Sequence, residues 1–313
     1  MPLKIDAAVC SNMGKVRKNN EDNFYFDGLY MDENTRNQGG FYHQTNENEL
    51  QIYAVCDGMG GEEGGEDASI TAVRGLQKYA ASEAHPDENQ PLRDALQSIS
   101  DTIDQNARTK GFHSGTTIAM MLFNGNTARV VHVGDSRVYG MQNKQLRRLT
   151  VDHSEVQRMF AMGLIKEEEL DTHPRRHVIS QYLGMPREDA LVSPTLSERE
   201  EVTAETRYVI CSDGLTDMVK DPELSQILAA APNSEEAAKQ LVLAALRNGG
   251  RDNVTVICLF VKPQKTGSTR HEGKKHESKS RKRRRRLAIA GMILSGGIFL
   301  AALILFLIDH VFL

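Results

Sequence analysis

The sequence predicts an α+β domain built in layers, and three observations carry that prediction. Short β-rich runs bounded by Gly, Asp and Asn recur between residues 50 and 261. Helical patterns arrive as a pair between groups of strands, not in one-for-one alternation with them, which argues against a doubly wound parallel sheet. Acids stand where the strands end.

The elements follow in order. "LQIYAVC" (50–56) is a continuous apolar strand. Two amphipathic helical patterns come next, "EDASITAVRGLQKYAASEA" (66–84) and "PLRDALQSISDTIDQNART" (91–109), and Glu66 and Asp67 suit the N-terminal dipole of the first. "TTIAMMLF" (116–123) and "ARVVHVG" (128–134) are strands joined by the hairpin signal "GNT" (125–127). "SEVQRMFAMGL" (154–164) reads as a helix and "RYVIC" (207–211) as a strand. "SEEAAKQLVLAALRNG" (234–249) is a helix with Asn233 or Ser234 to cap it and Gly249 to end it. "NVTVICLFV" (253–261) is the last strand, and the polar segment 31–50 reads as a strand-poor hairpin-loop insertion.

Of the 313 residues, 40% are hydrophobic and 26% charged, enough to bury a real core. Cys10, Cys56, Cys211 and Cys258 are widely spaced and form no CxxC pair, which excludes a disulfide framework and a zinc knuckle. The net charge of −4 hides an asymmetry, because "RKRRRR" (281–286) stands directly before residues 287–308, a stretch without a charge. At about 1.5 Å per residue that stretch makes roughly 33 Å of helix, enough to cross a bilayer. A basic run abutting an apolar span implies a membrane partner, with no nucleic acid. The positive-inside rule then keeps the N-terminal bulk cytoplasmic and places residues 309–313 outside as a short tail. Residues 1–10 lack the apolar region of a signal peptide. The expected organisation is a catalytic domain over 1–261, a basic polar linker over 262–286 and one C-terminal transmembrane helix over 287–308.

Within the domain, "AVCDGMGG" ends a strand in Asp57, "YVICSDGL" ends one in Asp213, and "GGRDNVTV" places Asp252 where a strand begins. "VRKNNED" adds Arg17, Glu21 and Asp22, and "VGDSR" adds Asp135. Carboxylates without neighbouring His or Cys in the same motifs are the donor set of hard divalent cations, Mg²⁺ or Mn²⁺. Brought together, they would repel one another unless a cation neutralised them.

These motifs, taken in order with "SGTT" (114–117), "DHS" (152–154) and "HPRRHVISQYLG" (173–184), resemble the bacterial members of the PPM, or PP2C, family of metal-dependent protein Ser/Thr phosphatases. The resemblance covers about residues 5–261 and implies a four-layer α-β-β-α sandwich, two antiparallel sheets flanked by helix pairs. It implies that Asp57 bridges two Mn²⁺ or Mg²⁺ ions with the Gly58 carbonyl beside it, that Asp213 and Asp252 complete one ion, and that Glu21 approaches the other. It gives Arg17 the substrate phosphate, and Asp135 a third ion shared with Asp213. The activity so implied is hydrolysis of phosphoserine and phosphothreonine on proteins by a hydroxide bridging the two ions, opposing a Ser/Thr kinase. Many eukaryotic relatives carry His after the DG, where this chain has Met59, which cannot transfer a proton; metal-bound water is then the expected proton donor, with His132 and His153 as possible substitutes. Residues 154–190 resemble a flap bordering the site. A catalytically silent module on the same fold and a hydrolase of small phosphate esters are the alternatives.

Overall fold

The computed structural model describes residues 2–60, 64–82 and 88–263, all within a unit spanning Met1–Gln264. The basic run, the apolar span 287–308 and the tail lie outside the described residues. Among the described residues, no helix is long and apolar enough to cross a membrane.

The strands are β1 (Lys4–Asn12), β2 (Asn23–Phe26), β3 (Gly40–Asn46), β4 (Leu50–Cys56), β5 (Gly58–Met59), β6 (Gly115–Thr116), β7 (Ile118–Asn124), β8 (Thr127–Val133), β9 (Arg137–Gln142), β10 (Gln145–Arg148), β11 (Thr195–Leu196), β12 (Glu200–Glu201), β13 (Arg207–Cys211) and β14 (Val254–Lys262). The helices are α1 (Gly65–Ala80), α2 (Asn89–Lys110), α3 (Glu155–Ala161), α4 (Asp213–Thr216), α5 (Asp221–Ala230) and α6 (Ser234–Arg247).

The apolar strands are continuous rather than alternating because each is covered on both faces. Along β14, Val254, Val256, Cys258 and Phe260 enter one core with α5 and α6, while Ile257, Leu259 and Val261 enter a second core between the sheets. Along β7, Ile118, Met120 and Leu122 face α1 and α2, while Ala119, Met121 and Phe123 join the inter-sheet core. The period of two thus sorts one run into two cores. The result is helix, sheet, sheet, helix. One sheet has the order β10-β9-β13-β14-β1-β3; the other runs β11-β8-β7-β4-β2 with β12 added on β8. All pairings within these sheets are antiparallel.

The hairpin at 125–127 is present, with Asn124 opposite Thr127. Asn233 caps α6 by accepting the Glu236 N–H at 2.8 Å. The insertion 31–50 requires a correction: it contains β3, which pairs with β1 from Ile5↔Asn46 to Ser11↔Gly40. An edge strand with one solvated face needs few apolar residues, so its polar composition hid it. The expected strand 116–123 is broken at Thr117, and β1, β2, β9, β10 and α5 add to the elements read from sequence.

Candidate active site

The acids meet because strand ends of both sheets open onto one edge of the sandwich. Asp57 leaves β4 and Asp135 follows β8 in one sheet; Asp213 follows β13 and Asp252 precedes β14 in the other. Arg17 and Glu21 come from the loop between β1 and β2. All six residues, with Gly58, line one cleft of about 1100 Å³.

Each is held from behind. The Asp57 N–H donates to Thr117 Oγ1 at 3.1 Å, while Thr117 N–H and the Thr116 hydroxyl both donate to the Asp57 carbonyl at 2.9 Å. The break between β6 and β7 therefore serves to seat Asp57. Gly58 can have no side chain, because a Cβ would overlap the carbonyl oxygens of Gly65 and Glu21. Gly65 is bound by the same approach, since a Cβ there would lie 2.8 Å from the Gly58 carbonyl carbon. Asn253 ties the Arg17 and Glu21 loop to the start of β14: its amide donates to Met13 O and Asn19 O at 2.9 Å each and accepts the Glu21 N–H at 2.8 Å.

Arg17 donates to Asp252 Oδ2 at 2.7 Å and lies 3.9 Å from Glu21, with about half of its side chain in solvent. A planar guanidinium open to the cleft is a bidentate anion donor.

Crowding dominates the electrostatics. Burial, then the charges of Asp22, Asp213, Asp135 and Asp252, push the Asp57 carboxyl well above the usual carboxylate range. Burial, then Asp252 and Asp217, raise Asp213 to about 6. Burial, then Asp213 and Asp152, push Asp135 well up. Burial and then Glu66 raise Glu21. A set of oxygen donors that cannot all ionise together without a counter-charge fits divalent cations. Asp57, Asp213, Asp252, Glu21 and the Gly58 carbonyl are the groups that would hold them.

Sequence reasoning assigned no role to Asp22, which is buried under the site. Ser212 donates to its Oδ2 at 2.7 Å, its Oδ1 is buried without a hydrogen-bond partner, and burial raises it to about 7. Its adjacency to Glu21 was the available signal. Asp217, Lys220 and Asp171 also line the cleft, as do Arg176 and His177 of the flap. His132 and His153 do not line it. They stack on each other with centroids 4.6 Å apart, and His153 bonds Thr195 Oγ1 at 2.9 Å and accepts the Gly134 N–H at 3.3 Å. Their role is to brace the loop that carries Asp135, not to meet a substrate.

Comparison with known proteins agrees with this architecture. The family description "Protein phosphatase 2C" matches residues 31–247. Serine/threonine protein phosphatase PstP of Mycobacterium tuberculosis is 34% identical over 278 residues, 85% of this chain and 47% of that protein. The chain thus spans about half of that relative's length. Serine/threonine phosphatase stp of Listeria monocytogenes is 32% identical, with 79% of this chain and 92% of that protein covered. The crystal structure of the catalytic domain of PstP in complex with two manganese ions matches with a TM-score of 0.67 and 32% identity, over 83% of this chain and 100% of that one. With two antiparallel sheets, flanking helices, the ordered acidic motifs and a family match over most of its domain, the chain belongs to the protein phosphatase 2C family.

Proposed function

We propose that this chain is a metal-dependent protein serine/threonine phosphatase that removes phosphate from phosphoserine and phosphothreonine of proteins. One observation carries the reading: the carboxylates of Glu21, Asp57, Asp135, Asp213 and Asp252 and the guanidinium of Arg17, drawn from both sheets and the β1–β2 loop, converge on a single open cleft. The named phosphatases of Mycobacterium tuberculosis and Listeria monocytogenes, and the manganese-bound PstP domain, support it.

In this reading Asp57, Asp213, Asp252, Glu21 and the Gly58 carbonyl hold two Mn²⁺ or Mg²⁺ ions, and Asp135 with Asp213 serves a third. Bound ions of this kind supply a nucleophile at neutral pH and neutralise charge that develops on the phosphoryl group. Arg17 releases Asp252 and takes two phosphate oxygens, orienting phosphorus over the carboxylates. The Thr116 and Thr117 bonds keep the Asp57 backbone fixed while charge shifts. Met59 carries no transferable proton, so the leaving alkoxide is not protonated from that position. The cleft's openness suits a side chain presented on a protein, and a Ser/Thr kinase is the opposing activity. The apolar span 287–308 and its basic flank anchor the chain in a membrane, with the catalytic unit cytoplasmic.

The test is hydrolysis of a phosphopeptide and of p-nitrophenyl phosphate in Mn²⁺, Mg²⁺ or EDTA. Activity should require metal, and Asp57→Asn and Asp252→Asn should each lose roughly 100-fold or more, at least what removing a supporting ligand costs. Hydrolysis in EDTA, or full activity in either variant, would overturn the assignment.

A further inference from the structure

We propose that the segment 31–50 is a positioning element of the active site: its Arg36 holds Glu66 behind Glu21, and Glu66 strengthens the grip of Glu21 on a divalent ion. On the phosphatase reading, which supplies the ion beside Glu21, Arg36 and Glu66 are positioning residues and not ligands.

The segment is fastened on both sides of Glu21. Asn20 is fully buried; its backbone N–H donates to Asn37 Oδ1 at 3.0 Å, and its side-chain amide donates to Arg36 O at 3.2 Å and to Ser11 Oγ at 3.0 Å. Asn23 is also buried, and its side chain donates to Met31 O at 2.9 Å and accepts the Met31 N–H at 3.1 Å. Between these two anchors, Asp32 Oδ1 accepts the Asn34 and Thr35 N–H groups at 2.9 and 3.0 Å, which fixes the turn leading into the 3₁₀ turn Arg36–Gln38. The place of Arg36 relative to Glu21 is therefore set by buried hydrogen bonds.

From that turn the Arg36 guanidinium reaches the first turn of α1, where Nη2 donates to Glu66 Oε1 at 3.3 Å. The two side chains are only 18% and 11% exposed. Stabilisation by a helix dipole requires neither burial nor a guanidinium, so the dipole alone does not account for this pair. Arg36 Nη1 and Glu66 Oε2 are buried without hydrogen-bond partners among the described residues, so neither charge is fully matched by the other. A buried carboxylate oxygen left in this state calls for a further positive neighbour. An ion at Glu21 would supply one. A Cβ on Gly65, the residue before Glu66, would lie 2.9 Å from the Glu21 carboxyl carbon, and of the charges acting on Glu21 that of Glu66 is the largest. Two neighbouring carboxylates repel until a cation enters, so Glu66 adds attraction for the ion that Glu21 binds, in the manner of an outer-shell partner. Arg36 keeps Glu66 from turning out to solvent.

The experiment titrates the full chain, in non-ionic detergent, with Mn²⁺ by calorimetry, and follows hydrolysis of p-nitrophenyl phosphate and a phosphopeptide against Mn²⁺ concentration. Glu66→Gln and Arg36→Met should each weaken the binding of one Mn²⁺ about tenfold, as loss of an outer-shell partner does, with the parent rate regained at saturating Mn²⁺. Arg36→Met added to Glu66→Gln should cause no further loss, because Arg36 acts through Glu66. Arg74→Met breaks the exposed pair between α1 and Glu33 of the same segment and should leave Mn²⁺ binding unchanged. Glu66→Gln is nearly isosteric and keeps the test readable if Arg36→Met does not fold. Unchanged Mn²⁺ affinity in Glu66→Gln, additive losses in the double variant, or an equal loss in Arg74→Met would each overturn the proposal. So would tighter Mn²⁺ binding by Arg36→Met, which would make Arg36 merely an opposing charge. A parent chain that shows this Mn²⁺ pattern yet hydrolyses neither substrate would sink the phosphatase reading and leave the positioning role standing.

Discussion

Arg17 and Asp213 show how much a single residue's chemistry allows. Arg17 stands at hydrogen-bond distance from Asp252 and half in solvent, so it can exchange a carboxylate partner for a phosphate at little desolvation cost. Arg17→Lys keeps the charge and loses the fork; kcat/KM for a phosphopeptide should fall about tenfold, close to 1.4 kcal/mol, mainly through KM. An unchanged KM would remove Arg17 from phosphate binding. Asp213 carries a linkage argument. Its folded pKa of about 6 lies above the ordinary 3.8, so the folded chain holds more protons than the unfolded one between those values. Its contribution to stability is therefore full below about 3.8 and is lost as pH rises through about 6. In EDTA, Asp213→Asn should unfold at a higher temperature than the parent at pH 7.5 and show no such advantage at pH 4, and calorimetry at the two pH values reads the difference directly. The acids themselves were legible in sequence because each stands at a strand end. The burial of Asp22 and the meeting of Arg36 with Glu66 were not, because they depend on which segments face each other after folding.

At the scale of elements, the apolar strands and amphipathic helices announce themselves and the edges do not. β4, β7, β8, β13 and β14 are packed on two faces, so their sequences are mostly apolar, whereas β3 pairs through its backbone with a half-solvated surface. Backbone pairing leaves little trace in side-chain identity. The same limit applies to Asn253, whose importance lies in stitching a loop to a strand. It is buried and makes three hydrogen bonds to Met13, Asn19 and Glu21. Asn253→Ala should cost about 2–3 kcal/mol, near 1 kcal/mol for each bond lost, measured by urea unfolding with Mg²⁺ present. It should also weaken Mn²⁺ binding, because Glu21 and Arg17 lose their registration with Asp252. A variant with full stability and full metal affinity would show that the loop holds its shape without the stitch.

At the scale of the molecule, the cleft exists only because two sheets face each other: neither sheet alone carries the acid set. The layered α+β character was readable from element order; the four layers followed from the family resemblance and from nothing local. The tether is the remaining large-scale expectation. A reporter fused after Leu313 should read outside the cytoplasm, and a chain ending at residue 264 should leave the membrane fraction; a soluble full chain would end the anchoring proposal.

One pairing described above reaches further. β1 and β14 lie side by side from Lys4↔Lys262 to Asn12↔Val254, and Arg17 and Asp252 flank the second end. Nine residues at about 3.3 Å separate the two ends by roughly 30 Å. The beginning and the end of the folded unit are thus a single attachment point, remote from the catalytic edge. A residue substituted at the Lys4 or Lys262 end of this pair is therefore about one strand length from the catalytic edge.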